Sequence, residues 1–305
     1  MMEDRDLMKI LIAYDGSECA ESAIDDLKRA GLPRRAEALV LTISEELIPM
    51  PASIGGVDTT FAKSLLEEEK ESLALARRAR SRIQTLFPGW EILAEAAIGS
   101  PGSEIIARAD EWRPDLIVVG SHGRTALGRM FFGSVSQKVI TEARCSVRVA
   151  RGRIVEPDVP ARIIVGVDGS EEGDAAVEEI ASRDWPDGSE VRIVNSAWTL
   201  PPARDPRTAI NFAEWIAQET ERVKKAVDGA ADKLGSAGLK VSAVVKEQEP
   251  KALLCSEAED LMADCIFVGA RGMGRLERFL IGSVSLGVAA RAHCSVEVIR
   301  AGNKA

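Results

Sequence analysis

DLIVVGSHGRTALGRMFFGSVSQKVITEARCSVRV, running from Asp115 to Val149, returns as DCIFVGARGMGRLERFLIGSVSLGVAARAHCSVEV from Asp264 to Val298. Both copies carry Gly-x2-Gly-x9-Gly-Ser, first at Gly120, Gly123, Gly133 and Ser134, then at Gly269, Gly272, Gly282 and Ser283. A second matched pair precedes them, ILIAYDGS at Ile10 to Ser17 and IIVGVDGS at Ile163 to Ser170. The period is about half the chain, which is the size of a domain rather than of a solenoid unit.

Outward from these stretches, each half alternates strand and helix patterns. Met8 to Tyr14 is a nearly continuous apolar run, as a parallel strand buried on both faces requires. Cys19 to Ala30 has helical spacing that Gly31 can end, Ala38 to Ile43 reads as a strand, and Pro49 to Thr59 as a loop. A long helix over Phe61 to Leu86, a strand over Trp90 to Ala97 and a helix over Ser103 to Trp112 follow. Leu116 to Gly120, Ser134 to Glu142 and Val147 to Ala150 complete the half as strand, helix and strand. The second half repeats the order at Arg162 to Val167, Glu172 to Ser182, Val191 to Ser196, Ala209 to Leu234, Lys240 to Val245, Lys251 to Ala258, Cys265 to Gly269, Ser283 to Arg291 and Ser295 to Ile299. The expected fold is α/β, two open doubly wound five-stranded parallel sheets of Rossmann-like form. The expected divisions are a first domain over 1–150, a linker over 151–161 and a second domain over 162–305. The linker reads RGRIVEPDVPA, where two prolines interrupt regular hydrogen bonding.

The net charge of −9 over 305 residues is shared by the halves, so neither is a basic module and nucleic acid is not an expected partner. Arg77, Arg78, Arg80 and Arg82 cluster, but Glu67, Glu68, Glu69 and Glu71 precede them on one helix, the pattern of a solvated face. Five cysteines without C-x-x-C spacing argue against disulfides and thiolate zinc. Cys145 and Cys294, each before Ser-Val, read as core packing. The N-terminus is charged before Leu7, and no apolar run approaches a membrane span of about 18 residues. The expectation is a soluble cytoplasmic protein without a membrane partner.

Ligands of open α/β sheets collect beyond the carboxyl ends of the strands, and the repeated motifs fall there. Asp15 and Asp168 end the first strands of their halves, and Gly120 and Gly269 end the fourth. A strand entering a glycine turn exposes backbone N–H groups, and glycine lets the chain approach an anion where a Cβ would intrude. Ser134 and Ser283 begin helices, so their hydroxyls can both cap those helices and donate to phosphate, and the helix N-terminus favours the same negative ligand. The motif is neither a P-loop nor a dinucleotide fingerprint. Asp15 and Asp168 can form capping turns with Ser17 and Ser170, or accept from a ribose hydroxyl or an adenine amino group, or do both. His122 lies in the first glycine loop opposite Arg271 in the second. With Arg124, these supply donors near a phosphate, and packing or exposure explains them equally.

The Asp-Gly-Ser after the first strand, the long glycine motif after the fourth and the Cys-Ser-Val of the last strand resemble the universal stress protein family in its tandem two-domain form, over essentially the whole chain. The resemblance is to the subclass that binds ATP. It implies strand order 3-2-1-4-5, pairing through the fifth strands as an intrachain pseudo-dimer, and a homodimer as a further assembly. It implies an adenine nucleotide held by Asp15, Gly120, Gly123, Gly133 and Ser134, and by Asp168, Gly269, Gly272, Gly282 and Ser283. The function implied is a nucleotide-dependent stress or signalling factor. The alternatives are an interaction protein of the same fold that does not depend on ATP, and a slow Mg²⁺-dependent ATPase. Lys251 stands where the first half has Gly102. It can point outward, contact phosphate or obstruct the second pocket.

Overall fold

The computed structural model describes residues 7–45, 59–121, 132–151, 159–197, 206–272 and 281–301, with side chains described outside 59–66 and 206–217. The chain divides into two compact units, Met1–Lys28 with Pro33–Ile154, and Arg29–Leu32 with Val155–Ala305.

In the first unit the elements run β1 (Met8–Ala13), α1 (Glu18–Asp26), β2 (Ala36–Ser44), α2 (Thr59–Leu86), β3 (Glu91–Ile98), α3 (Pro101–Trp112), β4 (Leu116–Gly120), α4 (Ser134–Glu142) and β5 (Ser146–Ala150). All its strand pairs are parallel, and their order is β3-β2-β1-β4-β5. The second unit runs β6 (Arg162–Gly166), α5 (Glu171–Ala181), β7 (Glu190–Ser196), α6 (Pro206–Ser236), β8 (Lys240–Lys246), α7 (Pro250–Leu261), β9 (Cys265–Gly269), α8 (Ser283–Arg291) and β10 (Ser295–Ile299). Its parallel order, β8-β7-β6-β9-β10, is the same 3-2-1-4-5 arrangement. The expected α/β fold is therefore observed in each unit.

The apolar runs explain the order. Ile10, Leu11 and Ile12 of β1 and Ile163, Ile164 and Val165 of β6 are all at most 1% exposed, as central strands covered on both faces must be. The outer strands β3 and β8 instead alternate with charge. Glu91 and Glu95 mark β3, Lys240 and Lys246 mark β8, and such charges discourage pairing with another chain.

Boundaries shift where local capping decides them. Ser17 and Ser170 are the N-caps of α1 and α5, so these helices start at Glu18 and Glu171, one residue before the apolar spacing suggests. The end of the first predicted helix tightens into a 3₁₀ turn at Leu27–Arg29 before Gly31, which has φ +62°. The expected loop from Pro49 falls outside the described residues until Thr59, where α2 begins, and most of the expected linker falls outside them too.

The two units are not copies at the level of charge. Arg148, in the middle of β5, is fully buried and donates from Nε to Asp26 of α1 at 2.6 Å. The matching residue of β10 is Glu297, also fully buried, and it accepts from Arg183 just after α5. The same reversal recurs at the eighth residue of the third helix. Arg108 of α3 donates to Glu95 of β3 at 2.6 Å, whereas Glu257 of α7 accepts from Lys246 of β8 at 2.5 Å and from Arg192 of β7 at 2.9 Å. Each position keeps an ion pair but inverts it. At the fully buried Arg148 and Glu297, removing one partner would leave the other charge uncompensated, whereas Arg108 and Glu95 are both partly exposed.

Glu257 is 3% exposed, and the hydrogen bond from Lys246 leads the interactions that hold its carboxyl below the usual carboxylate range. A lowered folded pKa contributes stability that is present above the unfolded carboxylate value, roughly 4.3, and is lost as pH falls through the folded one. Glu257→Gln is expected to destabilise the second unit by about 1–3 kcal/mol at pH 7 in urea unfolding, since Lys246 and Arg192 are partly solvated and recover some hydration. The gap between wild type and variant is expected to narrow as pH falls below about 4. A gap that is independent of pH would contradict the role of the carboxylate.

Candidate functional site

The turn that follows each first strand is built the same way in both units. Gly16 and Gly169 both have φ +76°, a left-handed conformation that a side chain would strain. Oδ1 of Asp15 accepts the Ser17 N–H at 3.0 Å, and Oδ1 of Asp168 accepts the Ser170 N–H at 3.0 Å and its hydroxyl at 2.5 Å. The capping serines then accept from Ala20 N at 3.2 Å and Gly173 N at 3.1 Å. The capping reading of Asp15 and Asp168 therefore holds, and it occupies one carboxylate oxygen of each. The other oxygen of Asp168 faces the glycine loop, since a Cβ on Gly272 would lie 2.5 Å from Oδ2.

The glycines ending β4 and β9 serve close approach rather than unusual φ. A Cβ on Gly269 would lie 2.8 Å from the backbone carbon of Glu172 in the first turn of α5, and one on Gly120 would lie 3.3 Å from the backbone of Cys19 in α1. The helix following the Asp-Gly-Ser turn is thus seated directly on the end of the fourth strand. The glycine loop returns to the same place, because Gly133 N donates to Ser121 O at 3.0 Å and Gly282 N to Ala270 O at 2.7 Å.

One expectation about these loops needs correction. Ser134 and Ser283 do not cap their helices. Gly133 and Gly282 occupy the N-cap with extended backbone and no side-chain cap bond, and the serines are the first helical residues. A glycine cap leaves first-turn N–H groups without a side-chain acceptor. The loops are tied instead by the next serines: Ser136 Oγ donates to Gly120 O and Ser285 Oγ to Gly269 O, both at 2.6 Å. The repeated Gly-Ser-Val-Ser was the signal for that tie.

In the second unit these parts enclose a cavity of about 530 Å³. Asp168, Gly269, Arg271, Gly272, Gly282 and Ser283 all line it, so every second-half residue expected at the site meets at one place. Val223, Val245, Leu253 and Leu254 supply an apolar wall. Asn195 at the end of β7 lines it as well. This residue is 4% exposed, donates from Nδ2 to Val167 O at 2.7 Å, and has no partner for Oδ1 among the described residues. Of the first-half residues, Asp15, Gly120, Gly133 and Ser134 occupy the matching turns, while His122, Gly123 and Arg124 lie outside the described residues.

Two charged residues of the cavity wall, Glu219 and Arg222 of α6, escaped sequence reasoning, because a polar helix face carries no sign of what it leans on. Arg222 Nη1 donates to Asp168 O at 2.5 Å, and its Nε donates to Glu219 at 2.9 Å. The bond to Arg222 holds the Glu219 carboxyl below its ordinary range, and the same bond raises the guanidinium. Arg271 is also engaged: its Nε donates to Glu172 at 2.6 Å, and Nη2 adds a second bond.

Lys251 neither lines the cavity nor obstructs it. Its stem lies on α8, where a Cβ on Gly287 would come 2.2 Å from Lys251 Cδ, and its ammonium pairs with Glu249 at 3.2 Å. The first unit fills the same place from the other helix. There a Cβ on Gly102 of α3 would lie 2.8 Å from Cδ of Lys138 of α4. Glycine and lysine have exchanged helices, so one aliphatic stem fills the space in each unit.

The universal stress protein family model matches residues 7–151 and again 161–300. The chain belongs to the universal stress protein family, carries its domain twice, and has its general role in the stress response. Universal stress protein YxiE of Bacillus subtilis is 32% identical over 147 residues, covering 47% of this chain and 98% of that protein. A universal stress protein of Mycobacterium tuberculosis is 28% identical over 223 residues, 68% of this chain and 69% of its own length. Among solved structures, a universal stress protein from Archaeoglobus fulgidus matches with a TM-score of 0.62 and 20% identity over 97% of each chain, a likeness of fold.

The exchange of glycine and lysine predicts a specific coupling. Lysine is a better helix former than glycine by somewhat under 1 kcal/mol, so Gly287→Lys alone should stabilise an unobstructed helix. With Lys251 in place it is expected to destabilise by about 1–3 kcal/mol in urea unfolding, through overpacking. Adding Lys251→Gly is expected to recover most of that loss. Strict additivity of the two substitutions would show that the stems do not compete.

Proposed function

We propose that this universal stress protein is a nucleotide-binding stress or signalling factor whose ligand is an adenine nucleotide, ATP in the first unit, with the base against the apolar wall and the phosphates at the glycine loop. The observation that carries the reading is the meeting of Asp168, Gly269, Gly272, Gly282 and Ser283 around one cavity whose rim includes a glycine-capped helix N-terminus. Such an N-terminus presents N–H groups and a positive dipole end to an anion. Asp168 retains a carboxylate oxygen toward the cavity for a ribose hydroxyl, and Asn195 offers an amide oxygen on the same wall. Asp15, Gly120, Gly133 and Ser134, with His122, Gly123 and Arg124 of the same motif, are proposed for the corresponding role in the first unit.

Binding rather than turnover is the proposed mode of action. General catalysis needs a base held within reach of the reacting group. In the second cavity the carboxylate of Glu219 is bonded to Arg222, and one oxygen of Asp168 is spent on its own turn. Any hydrolysis would then be slow and would draw on Mg²⁺ to organise the phosphates and a water. Nucleotide would act through shape or partnership, and the fifth strands are proposed as pairing surfaces, in the chain and in a homodimer.

The test is Gly133→Val combined with Gly282→Val, with Gly282→Ala as a milder companion because a Cβ there already lies 3.2 Å from Ala270 O. Calorimetric titration with ATP is expected to show affinity falling at least tenfold in a variant that keeps its far-ultraviolet circular dichroism. Unchanged affinity in the folded double variant would refute the phosphate cradle.

A further inference from the structure

Among the described residues, the second cavity is lined by two guanidinium groups, and each is already bonded to a carboxylate. Arg222 is held by Glu219, and Arg271, which enters the glycine loop, is held by Glu172 through two nitrogens. Glu172 is 5% exposed and sits in the first turn of α5 against Gly269. Its structural equivalent against Gly120 is Cys19, which has a thiol where Glu172 has a carboxylate. The substitution therefore adds a buried carboxylate beside the place where the loop would receive phosphate, in one unit only.

We propose that Glu172 is a specificity-determining residue that sets the second cavity against highly charged ligands, so that it takes a nucleoside or nucleoside monophosphate in preference to a triphosphate. The inference rests on the nucleotide reading of the site given above. Two physical effects carry it. A phosphate that recruits Arg271 must first displace a two-point ion pair with a desolvated carboxylate, and charge-assisted bonds of this kind are the strong ones. A phosphate that does not recruit Arg271 finds that guanidinium already neutralised by Glu172, with Asp168 and Glu219 on the same cavity wall, and each added phosphate charge adds repulsion. Neither effect touches the uncharged part of a ligand, so adenosine is the internal reference. Glu172 acts through Arg271 and is a positioning residue.

The experiment uses the full chain carrying Asp15→Ala and Gly133→Val, which remove the carboxylate and the phosphate cradle proposed for the first site, with and without Glu172→Gln. Glu172→Cys, which restores the residue of the first unit, provides the second variant should glutamine impair folding. Adenosine, AMP, ADP and ATP are titrated separately by calorimetry. The parent is expected to bind adenosine or AMP at least as tightly as ATP. Removing the carboxylate is expected to raise the ratio of ATP to adenosine affinity roughly tenfold, about the value of one charge-assisted hydrogen bond, while adenosine affinity stays level. Adenosine binding with an unchanged ratio would overturn this inference and leave the nucleotide reading standing, since the charge facing the phosphates would then come from elsewhere in the loop. Absence of binding by all four compounds in the parent would overturn this inference together with the nucleotide reading of the second cavity.

Discussion

The constraint on which the site depends is the direct seating of a helix on the end of a strand. Gly120 and Gly269 have no side chain, so the first turns of α1 and α5 come close enough to β4 and β9 that a Cβ would meet backbone at 3.3 Å and 2.8 Å. That approach brings the Asp-Gly-Ser turn, capped at Ser17 or Ser170, beside the returning glycine loop. The loop is fastened by Gly133 and Gly282 from one side and by Ser136 and Ser285 from the other. A larger residue at either strand end would push the two turns apart before any ligand was considered.

Around this shared frame the two units have diverged by compensated exchanges. Arg148 with Asp26 corresponds in position to Glu297 with Arg183, Arg108 with Glu95 to Glu257 with Lys246, and Gly102 with Lys138 to Lys251 with Gly287. Each exchange conserves a physical feature, an ion pair at a given place or one filled stem of volume, while replacing the residues that supply it. Packing in the two units is thus equivalent in kind but private in detail. The change of Cys19 to Glu172 belongs to a different class, because it engages Arg271 of the cavity wall and so alters the charge presented to the site rather than a packing contact.

Much of this was legible in the sequence because it is local. Continuous apolar runs identified the central strands, and the repeated Asp-Gly-Ser and glycine motifs placed the site at the carboxyl edge, since turn chemistry is written in adjacent residues. The cap of α4 is not legible in the same way, because Gly-Ser at a helix start leaves two candidates, and the backbone places Gly133 rather than Ser134 at the N-cap. Lys251 resisted reading for another reason. Its partner, Gly287, lies on a different helix, and an alignment of the halves shows each change without showing that they compensate. Arg222 and Glu219 were invisible for the same physical cause, as a long polar helix reads as solvated until the turn that it covers is known.

The central claim is that the duplicated glycine loops hold an adenine nucleotide. The most direct measurement is to denature freshly purified protein, separate the released small molecules by chromatography, identify them by mass and count them against the chain. The account predicts adenine nucleotide in a fixed ratio to protein, with the triphosphate assigned to the first site. Protein that releases none, and that also acquires none after incubation with ATP and desalting, would contradict it.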